Sequence, residues 1–530
     1  MWRRPRLSES RASTSVGDTC VAPRRELIVH PFEHRSSCGE METKMTVEAP
    51  TQHVAKEELE RILRIQRDAF LREGHVSAEV RRDRVSRVAV TILDNIDAIS
   101  ETLSLDYGFR PPELTKAFEA TSWISDVQAT LASLEEWMEP TDVPGGFVQQ
   151  KPKGVVGVIG AWNFPIILAF EPAMAALAAG NRVMLNFSEF HSRTGQLIKN
   201  LFSESLDETE FAVISGDLAT AQAFAELELD HLFFTGSPGV GGLVAQSAAK
   251  NLVPVTLELG GKNPVVVARD ADLELAAHRI AGTRALNSGQ ICLCPDYVFV
   301  PRERRDDLVA ALRQEFEALF PDFLHNPGVV SIVNDRNYDR VVGLVEDAVA
   351  KGATKIVVAP ETELGNLPDR ASRRIPPTIL LDVPETATIS REEIFGPILP
   401  IYIYDTIQEV VDYLQERPTP LGSYWYGEDT EEFRTFLDHT NSGGVTRNDG
   451  IYHAFLPGAP FGGLGNSGSG AYHGRNGFDT FTHRRTVANV TQERGISDGL
   501  NGRALLDEEF QFAIDQAVAG AAKAFRHYLK

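Results

Sequence analysis

The sequence predicts an α/β protein built as two successive units, each a parallel sheet wrapped by crossover helices. From residue 154 onward, short apolar runs alternate with amphipathic stretches, the pattern of strand–helix–strand repeats. A chain of 530 residues exceeds what one ordinary core holds and implies two or three domains. The composition is globular, with 43% hydrophobic and 24% charged residues.

Residues 1–45 are weakly basic and rich in Arg and Ser, yet keep Glu9, Asp18, Glu26 and Glu33. They lack the apolar centre of a secretion signal. The expectation for 1–45 is an N-terminal extension without a fold, with Met41 and Met45 as later starts. Three helices should follow. The first carries Leu59, Ile62 and Phe70; the second Val85, Val88, Ile92, Ile96 and Ile99; the third Val127, Leu131, Leu134 and Met138. These stripes recur at helical spacing and read as core.

In the first α/β unit the expected strands are Val155–Ile159, Val183–Leu185, Phe211–Ser215 and His231–Thr235, with a helix over Pro172–Ala179. In the second they are Pro264–Ala268, Tyr297–Val300, Lys355–Ala359 and Ile398–Tyr404. Helices Ala271–Leu286 and Val341–Ala350 separate them. Phe461–Gly470 is glycine-rich and reads as a tight functional loop. After Ser497 an amphipathic helix carries Phe510, Phe512, Ile514 and Ala517.

A net charge of −22 argues against nucleic acid or an anionic membrane as partner. No run reaches the ~18 apolar residues of a membrane span. Four cysteines are too sparse for a disulfide framework and fit a reducing compartment, hence the cytoplasm. Cys292 and Cys294 form C-x-C without a second cysteine pair or histidine cluster, so no metal site is expected.

Several segments can carry chemistry. Asn287-Ser288-Gly289-Gln290-Ile291-Cys292 places a thiol in a loop of small residues, and Glu258-Leu259-Gly260-Gly261-Lys262 lies some thirty residues before it. A thiol and a carboxylate together run covalent acyl chemistry, although a buried cysteine is by itself commonly inert. His231–Thr235 runs into Gly236-Ser237-Pro238-Gly239, a strand-to-helix turn whose free N–H groups suit a phosphate or close an ordinary turn. Glu189 follows another strand, where an acid accepts ribose hydroxyls or is simply solvated. Asn163, in Trp162-Asn163-Phe164-Pro165, can donate to an oxyanion or form an Asx turn.

The motifs G-A-W-N-F-P, F-T-G-S, E-L-G-G-K, N-S-G-Q-I-C, E-E-I-F-G-P and P-F-G-G occur here in this order. Over roughly residues 50 to 490 the chain resembles the NAD(P)-dependent aldehyde dehydrogenase superfamily. Asp106-Tyr107-Gly108-Phe109-Arg110, Cys292-x-x-Pro295-Asp296-Tyr297 and Gly470-Ala471-Tyr472-His473-Gly474 are similar to its class-3-like branch. Ser331–Asp335 and Ser188-Glu189-Phe190 resemble the coniferyl aldehyde dehydrogenases within it.

The resemblance implies an aldehyde dehydrogenase-like fold: a Rossmann-like cofactor domain over 46–260, a catalytic domain over 261–440, and a return to the first over 441–490. It also implies an oligomerisation arm at about 142–153 and a homodimer; 491–530 form the tail. By the resemblance Cys292 is the nucleophile, Asn163 the oxyanion donor and Glu258 the base for thioester hydrolysis. Gly236 and Ser237 would hold the pyrophosphate, Glu189 and Asn186 the adenosine ribose, and Glu393 and Phe395 the nicotinamide riboside. Gly160 and Trp162 would border the cofactor, and Phe461 the aldehyde tunnel. Cys294 has no implied role and reads as a small apolar filler.

The implied reaction is oxidation of an aldehyde to its acid with NAD, the named substrate being coniferyl aldehyde and the product ferulate. Broad oxidation of fatty or other aromatic aldehydes is the second reading. The branch carries Lys followed by Pro or Met where this chain has Asn186-Phe187. Losing that cation favours NAD over NADP, and also motivates a third reading, a binding relative with little cofactor affinity. Arg447 stands where an apolar residue is expected, and reaches either the substrate entrance or the surface.

Overall fold

The computed structural model describes residues 52–489, 497, 502 and 504–529. The expectation for 1–45, and those parts of the expected tail that fall at 491–496, 498–501, 503 and 530, lie outside the described residues.

The strands are β1 (Thr141–Val143), β2 (Gly146–Pro152), β3 (Val155–Ile159), β4 (Arg182–Phe187), β5 (Phe211–Ser215), β6 (His231–Gly236), β7 (Val255–Leu259) and β8 (Asn263–Val267). Then come β9 (Pro295–Pro301), β10 (Thr354–Val357), β11 (Thr378–Leu381), β12 (Ile398–Tyr404), β13 (Gly422–Tyr426), β14 (Gly444–Arg447), β15 (Gly468–Ser469) and β16 (Thr482–Ala488).

The first large sheet has the order β15-β7-β6-β3-β4-β5 and is parallel except for β15. The second has the order β10-β11-β12-β9-β8-β13-β14 and is parallel except for β10. Every residue of β3, β4, β8 and β9 is buried, as parallel strands covered on both faces must be. This is why their sequences read as unbroken apolar runs. A third sheet, β1-β2-β16, is antiparallel, with β2 half-buried throughout and β16 mostly exposed.

The expected strands are all present, with ends moved by a residue or two. The helices differ more. The stripe from Val85 to Ile99 is broken at Asn95, whose φ of −113° and ψ of 13° end helix Ala78–Asp94 before Ile96–Tyr107 begins. The Asn95 side chain donates to the Thr91 carbonyl at 2.9 Å, so a polar group competes with the backbone ladder while the apolar period runs on across the break. The helix expected to begin at Pro172 begins at Ile167 and carries Pro172 inside it. Helix Glu508–Arg526 forms at the tail with no buried residue; Phe512, Ile514 and Val518 are exposed.

In the first sheet the chain moves outward from β3 through β4 to β5, then crosses to the other side of β3 for β6 and β7. The order therefore reverses between β3 and β6. Loops leaving the carboxyl ends of strands diverge at such a point and open a crevice.

Candidate active site

The crevice is a cleft of about 1820 Å³. Drug-sized pockets span roughly 300–1,000 Å³, so this one is large enough for a dinucleotide with room beyond. Gly160 and Trp162 line it after β3, Ser188 and Glu189 after β4, Gly236 at the end of β6 with Ser237 just beyond, and Glu258 at the end of β7. Asn163, Cys292, Glu393, Phe395 and Phe461 complete the wall.

Glycine is required at two of these turns. A Cβ on Gly160 would lie 2.8 Å from the Ala169 Cβ, and one on Gly236 would lie 2.4 Å from the Phe234 ring. Ser237 caps helix Pro238–Ala249, its hydroxyl accepting from the Val240 N–H at 3.4 Å. That helix N-terminus opens on the cleft and supplies a positive end for an anion.

Asn186 departs from expectation: it does not line the cleft and is only 2% exposed. Alternation along β4 puts it on the same face as Met184, inside the sheet's apolar cluster, and its amide is too short to emerge. Its Oδ1 has no partner. Thr235 Oγ1, Glu393 Oε1 and both oxygens of Glu258 are likewise buried and unpaired at the wall. Buried polar atoms normally find partners. This row of orphans fits a polar cofactor with hydroxyls and phosphates.

The loop before Cys292 is over-determined. Asn287, Ser288 and Gly289 take φ of 50°, 52° and 74°, three successive left-handed residues. A Cβ on Gly289 would lie 2.4 Å from the Gly396 carbonyl. Ser288 donates to the Val330 carbonyl at 2.6 Å, and the Gln290 amide reaches the Asn287 and Ser331 carbonyls at 2.9 and 3.2 Å. Gln290 Oε1 accepts from the Val333 N–H at 3.0 Å. Asn263, opening β8, donates to the carbonyls of Cys292 at 2.7 Å and Cys294 at 3.0 Å, and accepts from Gly422 at 2.9 Å. These ties stop the thiol from drifting.

Asn163 is held by its own backbone. Its carbonyl accepts from Arg110 at 2.7 Å, Tyr107 at 3.0 Å and Asn287 at 3.2 Å, and its side chain donates to the Gln290 carbonyl at 3.2 Å. Arg110 is fully buried against Glu119 at 2.7 Å, and Glu119 accepts from the Ile166 N–H at 2.6 Å. His191, whose pKa burial lowers to about 4, bonds the neighbouring Trp162 carbonyl at 2.7 Å as a neutral ring.

Burial pushes the Cys292 thiol up to about 12, and the charges of Glu393 and Glu258 add to this. The N–H groups of Leu293 and Cys292 oppose it by facing the sulfur. Burial also raises the Glu258 carboxyl well above its usual range. Glu393 is raised to about 8 by burial and by Asp296, against the Gly261 N–H, Lys262 and Arg340. Its backbone is pinned: Arg340 donates to the Glu393 and Ile394 carbonyls at 3.1 and 2.7 Å, and Asp296 accepts from the Ile394 N–H at 2.9 Å. Phe395, at φ 48°, meets Trp162 edge-on with centroids 5.3 Å apart.

A family model described as the aldehyde dehydrogenase family matches residues 41–487. The chain belongs to the aldehyde dehydrogenase family.

Two relatives and one solved structure place it further. It is 43% identical to a probable coniferyl aldehyde dehydrogenase of Caulobacter vibrioides, covering 80% of this chain and 90% of the relative. It is 41% identical to a coniferyl aldehyde dehydrogenase of a Pseudomonas species, covering 82% of this chain and 91% of the relative. The substrate-bound AldH of Staphylococcus aureus superposes with a TM-score of 0.77 at 32% identity, covering 82% of this chain and 95% of that one. This aldehyde dehydrogenase is thus an NAD(P)-dependent oxidoreductase acting on aldehydes.

Two sequence readings are settled. Cys294 packs in the buried apolar core as expected, and its sulfur also accepts from the buried Arg284 guanidinium at 3.2 Å. Arg447 faces the surface, 3.7 Å from Glu428 and against Phe433. The sequence reading assigned no chemistry to Asn263, Gln290, Tyr107 or Arg110. Tyr107 and Arg110 stood in the noted D-Y-G-F-R segment, and Gln290 and Asn287 in the cysteine motif itself. Asn263 follows Gly-Gly-Lys directly, and a polar residue opening a buried strand was the signal available. No described helix is long and apolar enough to cross a membrane.

Proposed function

We propose that this enzyme oxidises coniferyl aldehyde to ferulate with NAD, through a thiohemiacetal and a thioester on Cys292. The observation that carries the mechanism is the meeting of Cys292, Asn163, Glu258 and Glu393 on one cleft wall. The substrate is supported by the two relatives at 43% and 41% identity, both described as coniferyl aldehyde dehydrogenases.

Cys292 releases its proton to solvent as Sγ adds to the aldehyde carbon. The developing oxyanion takes hydrogen bonds from the Asn163 amide and the Cys292 N–H, donors whose backbone ties remove the need to reorganise. Held by Glu393 and Phe395 at its nicotinamide end, NAD would supply the hydride acceptor for the oxidation. Glu258 then takes a proton from water as its oxygen attacks the thioester, and the thiol leaves with the acid released. Burial raises the Glu258 carboxyl, so its ionised form is a stronger base than an ordinary carboxylate, which suits this task. Over both steps one aldehyde, one NAD⁺ and one water become one acid, one NADH and one proton.

Ser237, Gly236 and Glu189 would hold the pyrophosphate and adenosine ribose, Gly160 and Trp162 border the dinucleotide, and Glu393 and Phe395 hold the nicotinamide riboside. Glu189 repels a 2′-phosphate, and no Lys stands at position 186 to attract one, which favours NAD over NADP. The sheet β1-β2-β16 presents an edge strand and an exposed face suited to pairing two copies, and the protein would act as a cytoplasmic homodimer.

The test is an aldehyde panel on wild type and Cys292→Ala, read as NADH or NADPH formed. The expected result is higher kcat/KM for cinnamyl-type aldehydes than for hexanal, with NAD ahead of NADP and no turnover in the variant. Equal rates for coniferyl aldehyde and hexanal would remove the substrate assignment. Gel filtration showing only a species near 58.3 kDa would remove the dimer.

A further inference from the structure

The cleft wall at the Cys292 end is apolar at Leu168, Phe461 and Tyr472. Behind it lies a carboxylate–imidazole pair with no part in the chemistry above. His473 Nε2 sits 3.4 Å from Glu171 Oε2, with side chains only 16% and 7% exposed. His473 Nε2 has no hydrogen-bond partner. Asp126 is close by, accepting from the Gly474 N–H at 2.9 Å.

Three features tie this pair to the wall. Leu168 and Glu171 are three residues apart on helix Ile167–Ala178 and share a face. The His473 ring stacks on Phe461 with centroids 5.2 Å apart and planes at 17°. The Tyr472 ring meets the His473 ring edge-on with centroids 4.3 Å apart and itself lines the cleft that holds Cys292. Burial opposes charge on His473, yet Glu171 and Asp126 hold its pKa above the ordinary value. His473 also takes φ 78°, a left-handed conformation unusual for a side chain of this size. A buried, strained, under-bonded carboxylate–imidazole pair beside an otherwise apolar wall is an expensive feature for packing alone.

We propose that Glu171 and His473 form the polar end of the aldehyde site and bind the phenolic hydroxyl of a 4-hydroxyaryl aldehyde. The inference rests on the aromatic-aldehyde reading above and deepens it. The phenol donates to the Glu171 carboxylate, and His473 holds that carboxylate from its other side. Leu168, Phe461 and Tyr472 enclose the ring and chain between. The pair thus sets which aryl aldehydes are accepted, while Cys292 sets what happens to them.

The experiment compares coniferyl aldehyde with 3-methoxycinnamaldehyde, which lacks only the hydroxyl, and with 3,4-dimethoxycinnamaldehyde, in which it is capped. Wild type should prefer the phenol by about ten-fold in kcat/KM, the worth of one hydrogen bond to a charged group. The preference should lie mainly in KM. Glu171→Gln, nearly isosteric, and His473→Asn, a residue that tolerates positive φ, should bring the ratio to within about two-fold of unity. NAD titration against tryptophan fluorescence and a thermal melt identify properly folded variants. A wild-type ratio near one, with cinnamyl aldehydes still ahead of hexanal, overturns this inference and leaves the substrate class intact. If hexanal matches the cinnamyl aldehydes, the substrate class falls. The pair is then read on 4-hydroxybenzaldehyde against 4-methoxybenzaldehyde, and an unchanged ratio in Glu171→Gln overturns it there too.

Discussion

Replacing Arg110 by Met separates what the buried ion pair does for stability from what it does for catalysis. The guanidinium is fully buried, pairs with Glu119 at 2.7 Å, donates to the Asn163 carbonyl at 2.7 Å, and packs on Phe164 and Tyr107 with centroids at 4.9 and 5.1 Å. Met fills much of the same space but leaves Glu119 without its cation. Breaking a buried pair on one side costs about 3–5 kcal/mol. The loss depends on pH in a defined sense. Burial raises the Glu119 carboxyl, and without Arg110 nothing charged opposes that shift. The folded variant then binds a proton that the unfolded chain has released, so its stability falls as pH rises above the ordinary glutamate range of about 4.3.

The second substitution, Glu119→Gln, removes the stranded charge and keeps an acceptor for the Ile166 N–H. The double variant should regain about half of the lost stability in urea unfolding. It should not regain activity. Asn163 keeps only Tyr107 and Asn287 on its carbonyl, so the amide that faces the oxyanion is less well fixed. We expect kcat to fall about ten-fold in both variants, equivalent to about 1.4 kcal/mol of barrier. A double variant that recovers kcat along with stability would show that Arg110 does nothing for Asn163 beyond holding the fold.

Three further outcomes follow from the same site. Glu258→Gln cannot take a proton from water and should slow thioester hydrolysis by about 10²–10⁴ while the first NADH burst survives; normal steady-state turnover in stopped flow would contradict the assignment. Glu393, raised from 4.5 to about 8, is protonated in the folded protein at pH values where the unfolded chain has released its proton. Stability of the cofactor-free enzyme should therefore fall between those two values, and Glu393→Gln should flatten that fall; a variant whose urea midpoint drops as steeply as wild type refutes it. Asn186→Lys places a longer, charged side chain where the amide stops short of the cleft, and should tighten NAD about ten-fold by calorimetry. An unchanged Kd would mean that this strand end does not reach the adenosine ribose.

The amino-acid order determined the local matters. Unbroken apolar runs such as Val155–Ile159 and Ile398–Tyr404 form strands because a strand buried on both faces has no polar side to show. The glycines at 160, 236 and 289 marked turns where no side chain fits. Cys292 and Glu258 were recognisable because reactive residue types stood in short contiguous motifs. Periodicity failed where a polar group intervened, at Asn95, since an apolar stripe carries no record of which backbone bonds a neighbouring amide takes.

The tertiary structure alone decided the rest. Arg110 and Glu119 lie outside the motif of Asn163, and Asn263 grips the Cys292 loop from another strand. Such partners are chosen by where the sheet places them, and hydrogen bonds between distant segments leave no period in the chain. The same holds for Asn186, whose position matched expectation while its short amide stops before the cleft wall. It holds too for His473 and Glu171, some three hundred residues apart, which only the folded chain brings to the same wall.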